Sequence, residues 1–191
     1  MSLTDLLAIV ASVVFLVRLL PQPIRLARQG VAAGVSGMAA LNAVVSALAW
    51  IAYGLSVQLL VVWSVSVLAL VPGIWQVVLL RHRTTRRDVA GAALFVLALL
   101  VASVLGVLGL ALAVTVLVTV GPQVHRAVTE DDLSGIAPAT YWVALVDATT
   151  WGLYGLAVHD GALVGYWVVL AGAAAIILAR LSWTARVPEA A

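Results

Sequence analysis

Pro21-Gln22, followed downstream by Trp50-Ile51-Ala52-Tyr53-Gly54-Leu55, and Pro122-Gln123, followed by Trp151-Gly152-Leu153-Tyr154-Gly155-Leu156, are one pattern written twice. The offset between the copies is 101 residues throughout, and it also aligns Arg25 with Arg126, Gly34 with Gly135, Ala47 with Ala148 and Val57 with Val158. An ungapped register of this kind marks an internal duplication, and it governs how everything around it is read.

Around the repeat the chain is apolar. Of its 191 residues 64% are hydrophobic and 9% charged, and mean hydropathy is +1.18. A soluble domain carries about 25% charged residues. So few charges cannot cover a water-facing surface, and the composition predicts an integral membrane protein. The absence of cysteine excludes a disulfide framework, a thiol nucleophile and a thiolate metal site. All ten basic residues are arginine, and a net charge of +2 does not suggest nucleic acid. In a membrane protein the position of the arginines is the informative quantity. The N-terminus lacks the basic run of a signal peptide, so its apolar stretch is read as mature protein.

The apolar runs divide at polar turns. Span 1 covers about residues 3–20 and ends at Pro21, before a polar turn with Arg25 and Arg28 in which Gly30, Gly34 and Gly37 loosen the chain. Span 2 covers 38–55. Span 3 covers 58–80, with a kink expected at Pro72-Gly73. A charged loop, Arg81 to Asp88, separates the halves. Residues 89–121 then carry no charge; as one helix they would be about 50 Å long, too long for a single crossing. The repeat offset places a break between Ser103 and Gly109, which makes span 4 a linker without a counterpart. Span 5 then ends at Pro122, span 6 covers 139–156 and span 7 covers 161–181. Charge supports seven spans. Arg25, Arg28, Arg81, Arg83, Arg86, Arg87, Arg126, Arg180 and Arg186 then share one side, whereas six spans would split these nine six against three. By the positive-inside rule the N-terminus is outside, and the C-terminus and both Pro-Gln turns are cytoplasmic. An odd linker lets two three-helix units lie parallel. The expected fold class is therefore all-α membrane protein with a 3-1-3 layout: repeat 1 over 1–80, loop and linker over 81–104, repeat 2 over 105–182 and a tail over 183–191.

Pro-Gln after the first helix of a three-helix unit, Trp-x2-Tyr-Gly at the end of the second, and the 3-1-3 layout resemble the PQ-loop group. The resemblance is closest to the SWEET sugar transporters and their single-unit relatives, the SemiSWEETs. It covers roughly residues 3–80 and 105–181 and implies uniport of small sugars by alternating access at a plasma membrane. It also implies that Trp50 and Trp151 stack the substrate in a shared central cavity, a task suited to an indole face with a polar N–H. It implies further that Pro21 and Pro122 are hinges of a cytoplasmic gate. Beside that stand plainer readings, in which the tryptophans and tyrosines form interfacial belts and the prolines only end spans. Gln22 and Gln123 are candidates to satisfy backbone groups freed at the kinks, and Tyr53 and Tyr154 are candidates for an extracellular gate.

Polar side chains inside spans complete the set. Asp147 is the only acid well within a span and lies four residues before Trp151, on roughly the same helix face. A carboxylate there is costly, so it faces the bundle interior. It can bind sugar hydroxyls, couple protons or pair with Arg18. Asn42 is a candidate to contact substrate or to bond another helix. Where the resemblance implies asparagines in spans 3 and 7, this chain reads Val65-Ser66 and Tyr166-Trp167, so Ser66 and Tyr166 become the candidate hydroxyl donors. No enzyme motif, cofactor site or metal-ligand spacing is present; His82, His125 and His159 lie in loops or at span ends. The expected partners are a small-molecule substrate and membrane lipid. A monomer suffices, because the duplicated chain supplies both halves, and a homo-oligomer stays open. Two alternatives stand beside sugar uniport: a proton-coupled PQ-loop carrier of amino acids or other small polar solutes, and a non-transporting seven-helix receptor or interaction module.

Overall fold

A computed structural model describes residues 2–29, 37–130, 133 and 137–184, and every regular element among them is an α-helix. The order is α1 (Leu3–Leu19), α2 (Pro21–Gln29), α3 (Gly37–Ser56), α4 (Leu60–Leu80), α5 (Arg86–Val104), α6 (Leu108–Thr129), α7 (Pro138–Ala157) and α8 (Gly161–Thr184). The chain is a multi-pass membrane protein. Among the described residues α1 with α2, α3, α4, α5 and α8 are each long and apolar enough to cross a bilayer. Helix α6 is a sixth such element when its two arms, bent 41° apart, are taken as one. Helix α7 has the length, 20 residues, but Asp147 and Thr140, Thr149 and Thr150 lower its apolarity. Counting α1 and α2 as one, these helices follow the seven-span order.

Side-chain placement suits lipid rather than water. Val71, Leu94, Leu97, Leu110 and Val168 are each more than half exposed. The buried positions are mostly small: α3 turns Ala40, Ala47 and Gly54 inward at steps of seven residues, close to two helical turns. Lipid tails are as apolar as leucine, so close backbone approach, rather than hydrophobic burial, holds such helices together.

The backbone forms two compact units. One spans Phe15–Leu112; in it α3 packs on α4 and α5, and α2 packs on α4. At one end of this unit Leu26, Ala40 and Leu80 bury one another, with Val77 against them. The other unit joins the start of α1 to the chain from Ala113 onward, and in it α7 lies along α8.

Both hairpins turn the same corner. At the end of α3, Gln58 adopts φ 58°, the Leu59 N–H donates to the Gly54 carbonyl at 2.8 Å, and the Gln58 N–H donates to Leu55 at 3.3 Å. At the end of α7, His159 adopts φ 56°, the Asp160 N–H donates to Gly155 at 2.8 Å, and the His159 N–H donates to Leu156 at 3.3 Å. Each is a Schellman cap, in which a left-handed residue lets two terminal carbonyls find donors. The glycine of Trp-x2-Tyr-Gly sits at the crossing. A Cβ on Gly54 would lie 2.8 Å from the Trp63 nitrogen, and one on Gly155 would lie 2.7 Å from the Leu163 Cβ. The break between α5 and α6 is a third such cap, with Gly106 at φ 73° and the Val107 N–H donating to Ala102 at 2.8 Å. It falls within the Ser103–Gly109 window expected from the repeat offset.

Two expectations need correction. Pro21 does not open a polar turn: it begins α2, which carries Arg25 and Arg28. Pro122 does not end its helix, since α6 continues to Thr129. Proline lacks a donor that the first turn of a helix does not use, so Pro21 and Pro23 fit the start of α2. Around Pro122 the ladder bends instead, between Val118 and Gln123. Pro72 lies inside α4, which runs without a break from Leu60 to Leu80. Gly30 and Gly34 lie outside the described residues, as do Asp131, Asp132 and Arg186.

Candidate functional site

Helix α7 supplies most of the chemistry. Its buried residues, Ala144, Asp147, Ala148, Trp151, Gly152, Tyr154 and Gly155, recur at three- and four-residue steps and form one inward stripe. Asp147 therefore shares its face with Trp151. The Asp147 carboxylate is wholly buried, and the Tyr166 hydroxyl, from α8, donates to its Oδ2 at 2.8 Å. One turn on, the Thr150 hydroxyl donates to the Asp147 backbone carbonyl at 2.9 Å. An acid at membrane depth persists only when hydrogen-bonded, and Tyr166 supplies such a bond. A phenol oxygen can both donate and accept, and carboxylate oxygens accept O–H or N–H groups.

The aromatic pairs repeat in both copies. Trp50 and Tyr53 meet edge-to-face with centroids 5.7 Å apart, and Trp151 and Tyr154 do so at 5.9 Å. Residues three apart on a helix share a face, and this T-shaped arrangement holds each indole by its neighbour. Trp151 and Tyr154 are buried, whereas Trp50 and Tyr53 are half-buried.

The polar positions of repeat 1 behave differently. Ser66 is buried and donates its hydroxyl to the Val62 carbonyl one turn back, at 2.7 Å, so its proton is already engaged. Asn42 is half-buried, and its Oδ1 has no hydrogen-bond partner among the described residues. Gln22 and Gln123 are exposed and make no hydrogen bond among the described residues, so they do not satisfy backbone groups at the prolines. Arg18 lies 5.7 Å from the Phe15 ring centroid.

A solved structure of a eukaryotic SWEET transporter superposes with a TM-score of 0.71, covering 96% of this chain and 99% of its own, at 16% sequence identity. The chain has the SWEET fold. No family model matches it, and no curated protein matches its sequence. Within the SWEET fold, two features escaped the sequence reading. The first is Asp160, which is buried and caps α8 by accepting the Leu163 N–H at 2.8 Å. An acid just before a helix start is an N-cap signal, and Asp160-Gly161 carried it. The second is a paired exchange. Trp167 packs against Gly152, where a Cβ would collide with the indole ring. The same positions in repeat 1 are Ser66 and Ile51, so small and large residues have traded places between the helices. Trp167 thus has a packing task on α7.

Proposed function

We propose that the chain is a passive transporter of small sugars, working by alternating access between its two three-helix repeats in a plasma membrane, N-terminus outside. The observation that carries this reading is the superposition of nearly the whole chain on a SWEET transporter. Trp50 and Trp151 stack the sugar ring, Asp147 with Tyr166 takes its hydroxyls on the repeat 2 side, and Asn42 and Ser66 offer acceptors on the repeat 1 side. Pro21 with Gln22 and Pro122 with Gln123 mark the cytoplasmic hinges, and Tyr53 and Tyr154 the outer gate. A monomer suffices. The repeated Trp–Tyr geometry, and the asymmetry of the polar groups around it, support these roles. In proteoliposomes the protein takes up labelled mono- or disaccharide, and Trp151→Ala abolishes uptake. Absence of uptake across a sugar panel by correctly oriented, folded protein refutes the sugar assignment.

The complete burial of Asp147 favours a second reading, a proton-coupled carrier of amino acids or other small polar solutes. In that case uptake follows an imposed pH gradient and is uncoupled by Asp147→Asn. Uptake that ignores the gradient, and survives that substitution, eliminates it.

A further inference from the structure

Charge divides very unevenly along the backbone. The unit Phe15–Leu112 holds seven of the ten arginines but a single acid, Asp88; the other unit holds three arginines and seven acids. Six of the seven arginines lie on the elements that meet at one end of the first unit. Leu26 of α2, Ala40 of α3 and Leu80 of α4 bury one another there, which places Arg25 and Arg28 of α2 at the same end as the loop Arg81–Arg87.

That loop is built rather than slack. The Arg83 N–H donates to the Leu80 carbonyl at 2.8 Å, and the Thr84 N–H and hydroxyl both donate to it at 3.1 Å. Thr85 and Asp88 form a capping box at the start of α5: the Thr85 N–H and hydroxyl donate to Asp88 Oδ2 at 2.7 and 2.8 Å, and the Asp88 N–H donates to the Thr85 hydroxyl at 3.3 Å. Asp88 Oδ1 accepts the Met38 N–H at 3.2 Å, which ties the start of α3 to the start of α5. Both oxygens of the one acid in this unit are therefore engaged by backbone and threonine donors. Arg81, Arg83, Arg86 and Arg87 are exposed, and none of them has an ion-pair partner among the described residues. Arg81 Nε donates to His82 Nε2 at 2.9 Å, which leaves its other N–H groups open.

From this geometry we infer that this end of the unit is a binding site for the phosphate headgroup of an anionic phospholipid. Three observations select the ligand. Helices α4 and α5 are membrane spans that end at Leu80 and begin at Arg86, so the loop between them lies at the level of the lipid phosphates. Guanidinium forks match phosphate oxygens in pairs. The capping box and the Leu80 carbonyl hold the loop backbone in place before any ligand arrives, which lowers the entropy lost on binding. Basic clusters next to a span attract anionic lipid in proportion to the arginines they carry. The site is independent of which solute the protein carries.

The test uses the full-length protein in mild detergent, with retained lipid measured by native mass spectrometry and thermal midpoint by fluorescence. Phosphatidylglycerol is retained and raises the midpoint, phosphatidylcholine does neither, and equimolar inorganic phosphate or glycerol phosphate does not displace the lipid. Retention falls about fivefold for each arginine changed to glutamine among Arg81, Arg83, Arg86 and Arg87, while the corresponding lysine variants, which keep the charge but not the fork, lose less. Where the fourfold variant fails to fold, Arg86→Gln with Arg87→Gln carries the test, with membrane orientation checked by single-cysteine labelling. Equal retention by wild type and the glutamine variants overturns the proposal. Displacement by free phosphate also overturns it, in favour of a soluble phosphate ligand.

Discussion

Tyr166→Phe removes one atom from the hydrogen bond that meets the buried acid of α7. The ring stays the same size, so the change creates no cavity of consequence and isolates the bond. Two ranges bear on the cost. Hydrogen bonds to charged groups contribute about 1.5–3 kcal/mol in proteins generally, whereas bonds between membrane helices average about 0.6 and reach about 1.7 kcal/mol. Here Asp147 is 0% exposed and Tyr166 9%, and the bond is 2.8 Å long, so the upper end of the membrane range applies, about 1.5 kcal/mol. For a chain of this size that is a fall of about 3–6 °C in thermal midpoint. The decisive assay is a double-mutant cycle with Asp147→Ala. In the Asp147→Ala background the cost of Tyr166→Phe shrinks to a few tenths of a kcal/mol, because the acceptor is gone. An equal cost in both backgrounds would show that the bond is not made, and the pairing of α7 with α8 through these residues would fall.

The interhelical glycines make a contrasting set. Gly54→Ala and Gly155→Ala each press a methyl into the next helix and lower the midpoint by about 1–3 kcal/mol equivalent. Gly172→Ala meets nothing within 4 Å, so it raises stability by about 0.5–1 kcal/mol through helix propensity alone. A Gly172 variant less stable than the other two removes the argument. Gln58→Gly and His159→Gly relieve left-handed backbone at the hairpin corners and raise the thermal midpoint, each by roughly 1 kcal/mol equivalent. An unchanged midpoint in both shows that these corners store no strain.

Much of the fold was legible because it is written twice. The offset alone locates the α5–α6 break, and Gly106 fills it. The motif puts the span ends at Leu55 and Leu156, one residue short of the observed Ser56 and Ala157, and its glycine sits at each corner. What stayed hidden depended on neighbours far along the chain or on local backbone detail. Tyr166 reaches Asp147 from another helix, and the equivalent residues in repeat 1, Val65 and Ser46, offer no parallel. Trp167 read as a substituted binding position, and only its contact with Gly152 shows its packing task. The helical run after each Pro-Gln is hidden because a proline reads as a terminator, whereas Pro21 fits the first turn of α2, where its missing donor costs nothing, and at Pro122 α6 bends and continues.

The two hairpin corners also restrict how the chain can move. Each is locked by a pair of carbonyl bonds and by a glycine pressed against the following helix, so α3 with α4, and α7 with α8, each turn as one piece. An inserted or deleted residue in either three-residue connection would break the lock. Among the described residues the helical ladder is interrupted at Leu20 and bent in α6 between Val118 and Gln123. Both adjoin a Pro-Gln step, so each copy places a locked corner and a broken ladder at matching positions along the repeat.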